Sequence, residues 1–489
     1  MPGPRSGTPA RTTRSAGREF LALAWLARHP QFVLMPAALA YGLIAAGWLL
    51  VTCVVAALVG VTVGWHRAHP PSFDRYAAPR LRTWWRRWTV YRGRRWRALL
   101  DECDLSKEQR RTGNVVYPAL TRVRSVTPSI DTARVRIAPG QDLQMWTDRL
   151  PALTEALCAH RIGLSRVRPG TVMLIIERHM PFTSPIDATP MPDTAAEVDL
   201  HAVVIGEDEY GQPFPIRVRG KHILGVGATG AGKSGFIWDP LRGMAPAIRD
   251  GYVRIWMIDL KGGTETERGQ AAFHRWATTM DQAVALVTEF RDSMTERQAW
   301  MRANRVRTCP VTPQTPINIL VVDEYAMLSA YGDKTAVRTA MALLGEVMTQ
   351  GRAADHTVWA FLQEPTKDII DNRDLFNYRL CLGVTTAAHV DMVLGEGARD
   401  RGALADEIPG DPQHSGIGFA INPGSRAPVR FRLGWVEDHE IDDFARFCTP
   451  PPAPTVINGE VVPFRKTTTT DTDDSDTDDS DESGEESAS

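Results

Sequence analysis

The run Gly227-Ala228-Thr229-Gly230-Ala231-Gly232-Lys233-Ser234 fits the pattern G-x-x-x-x-G-K-[ST] and constrains the fold more than any other segment. An apolar lead-in, His222-Ile223-Leu224-Gly225-Val226, reads as a strand, and a helical segment follows. The glycines let the backbone turn tightly, so that successive N–H groups face one point at a helix N-terminus, which is an anion site. A strand, such a loop and a helix form half of a βαβ unit. Residues 201–436 repeat that alternation of short apolar runs and longer helical segments, the pattern of a parallel sheet with helices on both faces. The expected fold class is α/β. In this pattern Lys233 would reach the β- and γ-phosphates of ATP and the Ser234 hydroxyl would bind Mg²⁺.

A second half of the site is expected about ninety residues further on. Ile317-Asn318-Ile319-Leu320-Val321-Val322 is a buried-strand run ending in Asp323-Glu324. A carboxylate at a strand tip can hold Mg²⁺, the role expected of Asp323, and Glu324 beside it can polarise an attacking water. Two more apolar runs end in polar residues: Ile255-Trp256-Met257-Ile258 in Asp259-Leu260-Lys261, and Val358-Trp359-Ala360-Phe361-Leu362 in Gln363. Ligands of such sheets collect at the carboxyl ends of strands, which places Asp259 and Gln363 among the nucleotide-site residues. Gln363 would hydrogen-bond the γ-phosphate or the water; the plain alternative is a polar strand end. Arg352 and Arg379 are candidates for arginines acting on a neighbouring subunit's nucleotide, with a surface salt bridge as the other reading.

The chain divides by composition. Residues 1–31 read as a basic cytoplasmic tail, polar through residue 19 with a short apolar stretch from Phe20 to Ala27; from Phe32 to Trp65 no charged residue occurs. A bilayer crossing needs roughly 20 apolar residues, so 32–65 is one long tilted span or two short ones, and neither a core helix nor a cleaved signal peptide accounts for it. Residues 66–114 form a Trp/Arg-rich juxtamembrane region. Between His66 and Arg97 ten arginines face one acid, Asp74, which puts that side and everything after it in the cytoplasm at the cell membrane. Trp84-Trp85-Arg86-Arg87-Trp88 through Trp96 reads as an interfacial anchor, with nucleic-acid contact as the alternative. Residues 115–200 form a small α/β domain ending in a Pro-rich linker, 201–436 the larger α/β domain with the phosphate loop, and 437–489 a linker and acidic tail. The net charge of −2 conceals ten acids between 471 and 486; without those ten the remainder stands at +8, which suits an anionic partner. Six scattered cysteines with no C-x-x-C pair argue against a disulfide framework or a zinc site.

With these residues in place the chain resembles the FtsK/SpoIIIE family of DNA pumps, from about residue 115 to 435. Ile137-Ala138-Pro139-Gly140-Gln141 resembles the turn of the family's α domain, and His222-Ile223-Leu224 with Gly227-Ala228-Thr229-Gly230 its nucleotide-binding entry. Ile258-Asp259-Leu260-Lys261 is similar to its Asp-Pro-Lys strand end, Val321-Val322-Asp323-Glu324 to its Walker B strand. Gly351-Arg352-Ala353-Ala354 and Leu362-Gln363 are similar to its arginine helix and sensor strand. The sequence departs from the family at Leu260, in place of proline, and at Glu364, where Thr-Gln-Arg-Pro has arginine. About forty residues between Trp435 and the acidic tail are too few for the family's winged helix. The resemblance implies a RecA-like motor that assembles as a homo-hexamer around double-stranded DNA. The arginine- and alanine-rich composition, short anchor and single motor resemble transfer proteins of actinomycete mobile elements, which implies conjugative transfer. Chromosome partition is the neighbouring reading. A type VII-like protein-secretion ATPase is the competing class, though those proteins usually carry tandem motors. A vestigial scaffold is disfavoured by intact Lys233, Ser234, Asp323 and Glu324.

Overall fold

The computed structural model describes residues 31–108, 113–366, 372–422, 427–449, 455–457 and 460–462. The basic N-terminal tail, apart from Gln31, and the acidic repeats lie outside the described residues. The chain forms two compact units, Met1–Pro181 and Phe182–Ser489.

The first unit opens with the apolar run as a helix, α1 (Gln31–Ala68), interrupted at Gly47, whose φ of 73° and ψ of 164° are non-helical. The stretch Gly47–Ala68 has 22 residues and a mean hydropathy of 2.2, long and apolar enough to cross a membrane by length and composition. None of its most apolar window is buried inside the protein. Leu58 is 63% and Val61 69% exposed, so this surface is left largely uncovered by the described residues. Three short helices follow: α2 (Pro70–Tyr76), α3 (Ala78–Thr89) and α4 (Gly93–Glu102).

A four-stranded antiparallel sheet completes the unit. Its strands are β1 (Ala119–Ser125), β2 (Ile130–Arg136), β3 (Arg161–Arg168) and β4 (Thr171–Glu177), in the spatial order β1-β2-β4-β3. Alternation sends Ala133, Val135, Leu174 and Ile176 into one core with Trp146 and Leu153 of the short helices between β2 and β3. The tryptophans that follow the apolar helix divide. Trp96, with Tyr91 and Leu100, belongs to this core, whereas Trp84 and Trp85 are 60% and 63% exposed. Asp131, fully buried in β2, accepts from the Tyr91 hydroxyl at 2.8 Å and Arg178 Nε at 3.1 Å, and pairs with Arg86 of α3. Arg86 also donates to Ser125 Oγ at 3.0 Å and Pro128 O at 2.7 Å. One buried carboxylate thus ties the helix after the apolar run to the sheet. Burial, then the adjacent Asp131 charge, raises the Tyr91 pKa, keeping the phenol a donor.

The second unit is built on one large mixed sheet. Its strands, in chain order, are β5 (Ile186–Asp187), β6 (Val203–Asp208), β7 (Pro213–Ile216), β8 (Ile223–Val226), β9 (Val253–Ile258), β10 (Arg275–Ala277), β11 (Ile317–Val322), β12 (His356–Leu362), β13 (Tyr378–Leu382), β14 (Ile417–Ile421) and β15 (Pro428–Trp435). The order across the sheet is β10-β9-β11-β12-β8-β13-β14-β15-β6-β7, with β5 beside β15. Strands β10 through β13 run parallel; β14, β15, β6 and β7 extend the sheet antiparallel. Every residue of β8, β11 and β12 is buried, as expected of parallel strands covered on both faces. Residues 186–187, which the sequence assigns to the small domain, pair with Gly434 and Trp435 and stand in this unit.

Two hydrophobic cores sandwich the sheet. On one face α9 (Met280–Ala303) and α11 (Lys334–Gln350) bury Phe290, Met294, Leu344 and Val347. On the other, α7 (Ser234–Gly243) and α13 (Asp438–Cys448) bury Phe236, Trp238, Leu241 and Phe444. Gly225, in the phosphate-loop strand, allows this close packing: a Cβ there would stand 2.6 Å from the Phe361 ring and 2.8 Å from that of Phe236.

Candidate nucleotide site

The loop Gly227–Lys233 connects β8 to α7 at the carboxyl edge of the parallel strands, in the middle of the sheet. Gly227 N donates to Leu362 O and Ala228 N to Gly383 O, so the loop is fastened to the tips of both neighbouring strands. The glycines are needed where the pattern puts them. Gly230 and Gly232 have φ of 80° and 90°, and a Cβ on Gly232 would lie 2.6 Å from both Gly416 N and Ser415 Oγ. The backbone N–H groups of Thr229, Gly230, Gly232, Lys233 and Ser234 have no acceptor among the described residues. Free donors clustered at the N-terminus of a ten-residue helix fit a polyphosphate. Lys233 leans back over the loop, its Nζ 3.4 Å from Gly227 O. Burial lowers its pKa, while Glu324 and Asp323 oppose that shift.

Strand order brings the second half of the site close. β12 lies between β8 and β11, and in register Val226 pairs with Leu362 while Ala360 pairs with Val322. Gln363 therefore stands directly beside the phosphate loop, and its Oε1 accepts from the Thr229 hydroxyl at 2.9 Å. One strand further on, Asp323 and Glu324 cap β11, 4% and 7% exposed. Burial raises the Asp323 pKa and the Lys261 charge opposes it. Lys261 Nζ lies 3.1 Å from Asp323 Oδ2 and 3.5 Å from Glu324 Oε2. For Lys261 itself burial works against the charge, and the two carboxylates outweigh it, so its pKa is raised. An oxygen pair that holds one cation beside a lysine-bearing phosphate loop fits a divalent ion in the chemistry of its donors.

Asp259 belongs to the same edge but points its oxygens into its own loop. It accepts from Lys261 N at 3.1 Å, Glu265 N at 3.2 Å and Thr266 Oγ1 at 3.0 Å, and is fully buried. It positions Lys261. The two arginines are elsewhere. Arg352 sits in the turn before β12 and donates from Nε to Gly220 O at 3.1 Å; Arg379 is the second residue of β13. Both occupy the amino-terminal edge of the sheet, opposite the loop, so neither reaches the phosphate loop of its own chain.

The residues of the loop and strand tips named from the sequence, Gly227 through Ser234, Asp323, Glu324 and Gln363, stand together at one edge of the sheet. What sequence reasoning missed is the pairing of Lys261 with the two carboxylates and the Gly383, Ser415 and Gly416 backing of the loop. For Lys261 the signal was its position just past a strand tip next to Val322, usable only with the strand order. For Ser415 and Gly416 no local signal exists.

Residues 192–349 match the FtsK/SpoIIIE family. DNA translocase FtsK of Mycobacterium tuberculosis is 25% identical over 352 residues, which cover 66% of this chain and 40% of that protein. The ESX-4 secretion system protein EccC4 of the same species is 26% identical over 299 residues, 57% of this chain and 22% of that protein. Among solved structures, the pCW3 conjugation coupling protein TcpA, in its monomer form with ATPγS, aligns with a TM-score of 0.47 at 18% identity, covering 68% of this chain and 93% of that one. The chain thus spans less than half the length of the curated relatives it matches. Residues 192–349 are thus similar to the FtsK/SpoIIIE family and lie on an α/β fold built around a phosphate-loop motif.

Proposed function

Starting from an FtsK/SpoIIIE family domain on a P-loop sheet, we propose that this protein is a membrane-anchored, ATP-driven translocase of double-stranded DNA, serving conjugative transfer of a plasmid or mobile element. The observation that carries the motor reading is the Thr229–Gln363 hydrogen bond. It links the phosphate loop to the strand inserted between that loop and the Asp323-Glu324 tip, so a change at the phosphates moves that strand.

In this reading the free N–H groups of the loop and Lys233 bind the polyphosphate of ATP. Ser234 and Asp323 would hold Mg²⁺, which supplies charge neutralisation between the phosphates. Glu324, with its carboxylate at the strand tip, accepts a proton from the attacking water, and Gln363 orients that water. Arg352 or Arg379 serves a neighbouring subunit, because each lies on the sheet edge away from its own loop. In this reading the site is shared between subunits of a ring, the proposed homo-hexamer. The uncovered apolar helix supports anchoring at the cell membrane, and the arginine-rich flank supports a cytoplasmic motor.

The test is ATP hydrolysis by the full chain in detergent micelles or nanodiscs, with and without long duplex DNA, beside Lys233→Ala. Stimulation by duplex that vanishes in the variant is the expected result; turnover indifferent to duplex overturns the DNA reading. The similarity to EccC4 supports a second reading, protein secretion, for which stimulation by a secretion-signal peptide in the same assay is the discriminating outcome.

A further inference from the structure

A groove of about 950 Å³ runs between α3–α4 and β1 of the first unit. Arg80, Arg87, Arg92, Arg97, Arg122 and Arg124 line it, and no acidic residue does. The folding of the unit uses few of these charges. Arg92 stacks over the Trp88 ring and Arg97 lies 5.6 Å over Tyr117, while Arg87, Arg122 and Arg124 have no ion pair among the described residues. Arg122 and Arg124 stand exposed on an edge strand. By contrast Arg86, one helical position away, is consumed by Asp131, so the same segment separates one structural arginine from a set of unneutralised ones. Trp84 and Trp88 form apolar walls, and Trp96, 5% exposed, lines the groove with an indole N–H that has no acceptor among the described residues. Six like charges in one concavity repel one another unless an anion enters.

We propose that this groove binds the phosphodiester headgroup of an anionic phospholipid. Connectivity favours a lipid over nucleic acid. Pro79, the first residue to line the groove, follows the end of α1 by eleven residues, at most about 17 Å of helix. Basic residues directly inside an apolar span meet the negative surface of the cytoplasmic leaflet, and tryptophans sit at headgroup depth. The groove thereby turns a general electrostatic attraction into a built site that fixes the first unit against the bilayer. The proposal rests on the membrane-anchoring part of the function proposed above and is independent of what the motor moves.

The experiment is native mass spectrometry of the full chain in detergent, titrated separately with cardiolipin, phosphatidylglycerol, phosphatidylcholine and a short single-stranded oligonucleotide. The variant is Arg122→Gln with Arg124→Gln; the charge-matched control is Arg94→Gln with Arg136→Gln, both exposed and outside the groove. Retained anionic lipid is expected on the native chain and the control, and about 30-fold weaker in the groove variant, at the energy per basic residue near an anionic surface. Equal loss in variant and control, equal retention of phosphatidylcholine, or an oligonucleotide whose binding alone depends on Arg122 and Arg124 each overturn the proposal. A chain that stays soluble and monodisperse without detergent overturns anchoring itself, whereas a detergent-dependent chain that retains no anionic lipid overturns only the groove.

Discussion

At the scale of residues, the nucleotide site separates binding from turnover. Gly232→Ala drives a methyl group into Gly416 N and Ser415 Oγ, so the loop opens and nucleotide affinity falls together with turnover, readable by fluorescent-nucleotide titration. Glu324→Gln leaves the phosphate loop and Asp323 in place. It is expected to keep nucleotide affinity within a few-fold while turnover drops by roughly 10²–10⁴, the usual worth of a general base. Equal loss in both measurements would remove Glu324 from that role. Outside the site, Asp131 is the most consequential buried charge of the first unit, because Arg86, Arg178 and Tyr91 all converge on it. Asp131→Ala leaves two guanidinium groups facing an empty centre and should cost about 3–5 kcal/mol of that unit's stability, visible as its earlier chemical unfolding.

At the scale of elements, the parallel strands are held in register by buried histidines as well as by apolar packing. His356, at the start of β12, donates from Nδ1 to Ala354 O at 2.8 Å and accepts at Nε2 from Ser293 Oγ at 2.8 Å and Asn318 Nδ2 at 3.2 Å. His222 accepts from Val358 N at 3.0 Å, bridging the phosphate-loop strand to β12. Burial is the first cause that lowers each imidazole's pKa, to about 4. The unfolded chain, with histidines near 6.5, binds more protons than the folded one between these values. Stability from both residues is therefore complete above about pH 6.5 and is lost as pH falls toward about 4, on the order of 3 kcal/mol apiece. Urea midpoints of the second unit should drop steeply between about pH 6.5 and about pH 5. A flat profile across that window would mean these imidazoles charge without cost. The same strand, β12, carries His356 at one end and Gln363 at the other, so the element that fastens the sheet also touches the loop.

At the scale of the whole molecule, the proposed ring predicts that Arg352 or Arg379 acts on a neighbouring chain's nucleotide, because both stand on the edge away from the loop. Mixing tests this. Lys233→Ala chains supply an intact arginine and a dead loop, and Arg379→Ala or Arg352→Ala chains the reverse. Turnover recovered on mixing two inactive proteins is expected for whichever arginine acts in trans, and no recovery for either pair would return both to surface roles. Phase partitioning of the full chain belongs to the same scale: the uncovered Gly47–Ala68 helix predicts recovery in the membrane fraction after a high-salt wash, since apolar contact resists screening.

The amino-acid sequence by itself determined whatever depends on neighbours along the chain. A loop whose glycines must take positive φ, a lysine and a serine at fixed offsets, carboxylates directly after a buried run, and an apolar stretch too long for a core are all local statements. Backbone sterics and transfer of apolar surface decide them. Only the tertiary structure decided which strand tips are adjacent. Inserting β12 between β8 and β11 puts Gln363 on Thr229 across 134 residues. Lys261 meets Asp323 across 62. The split of the arginines after the apolar helix into one pinned by Asp131 and others left facing a groove is likewise a tertiary outcome. Such partners are chosen by packing energies summed over the whole sheet, which no segment of the chain carries alone.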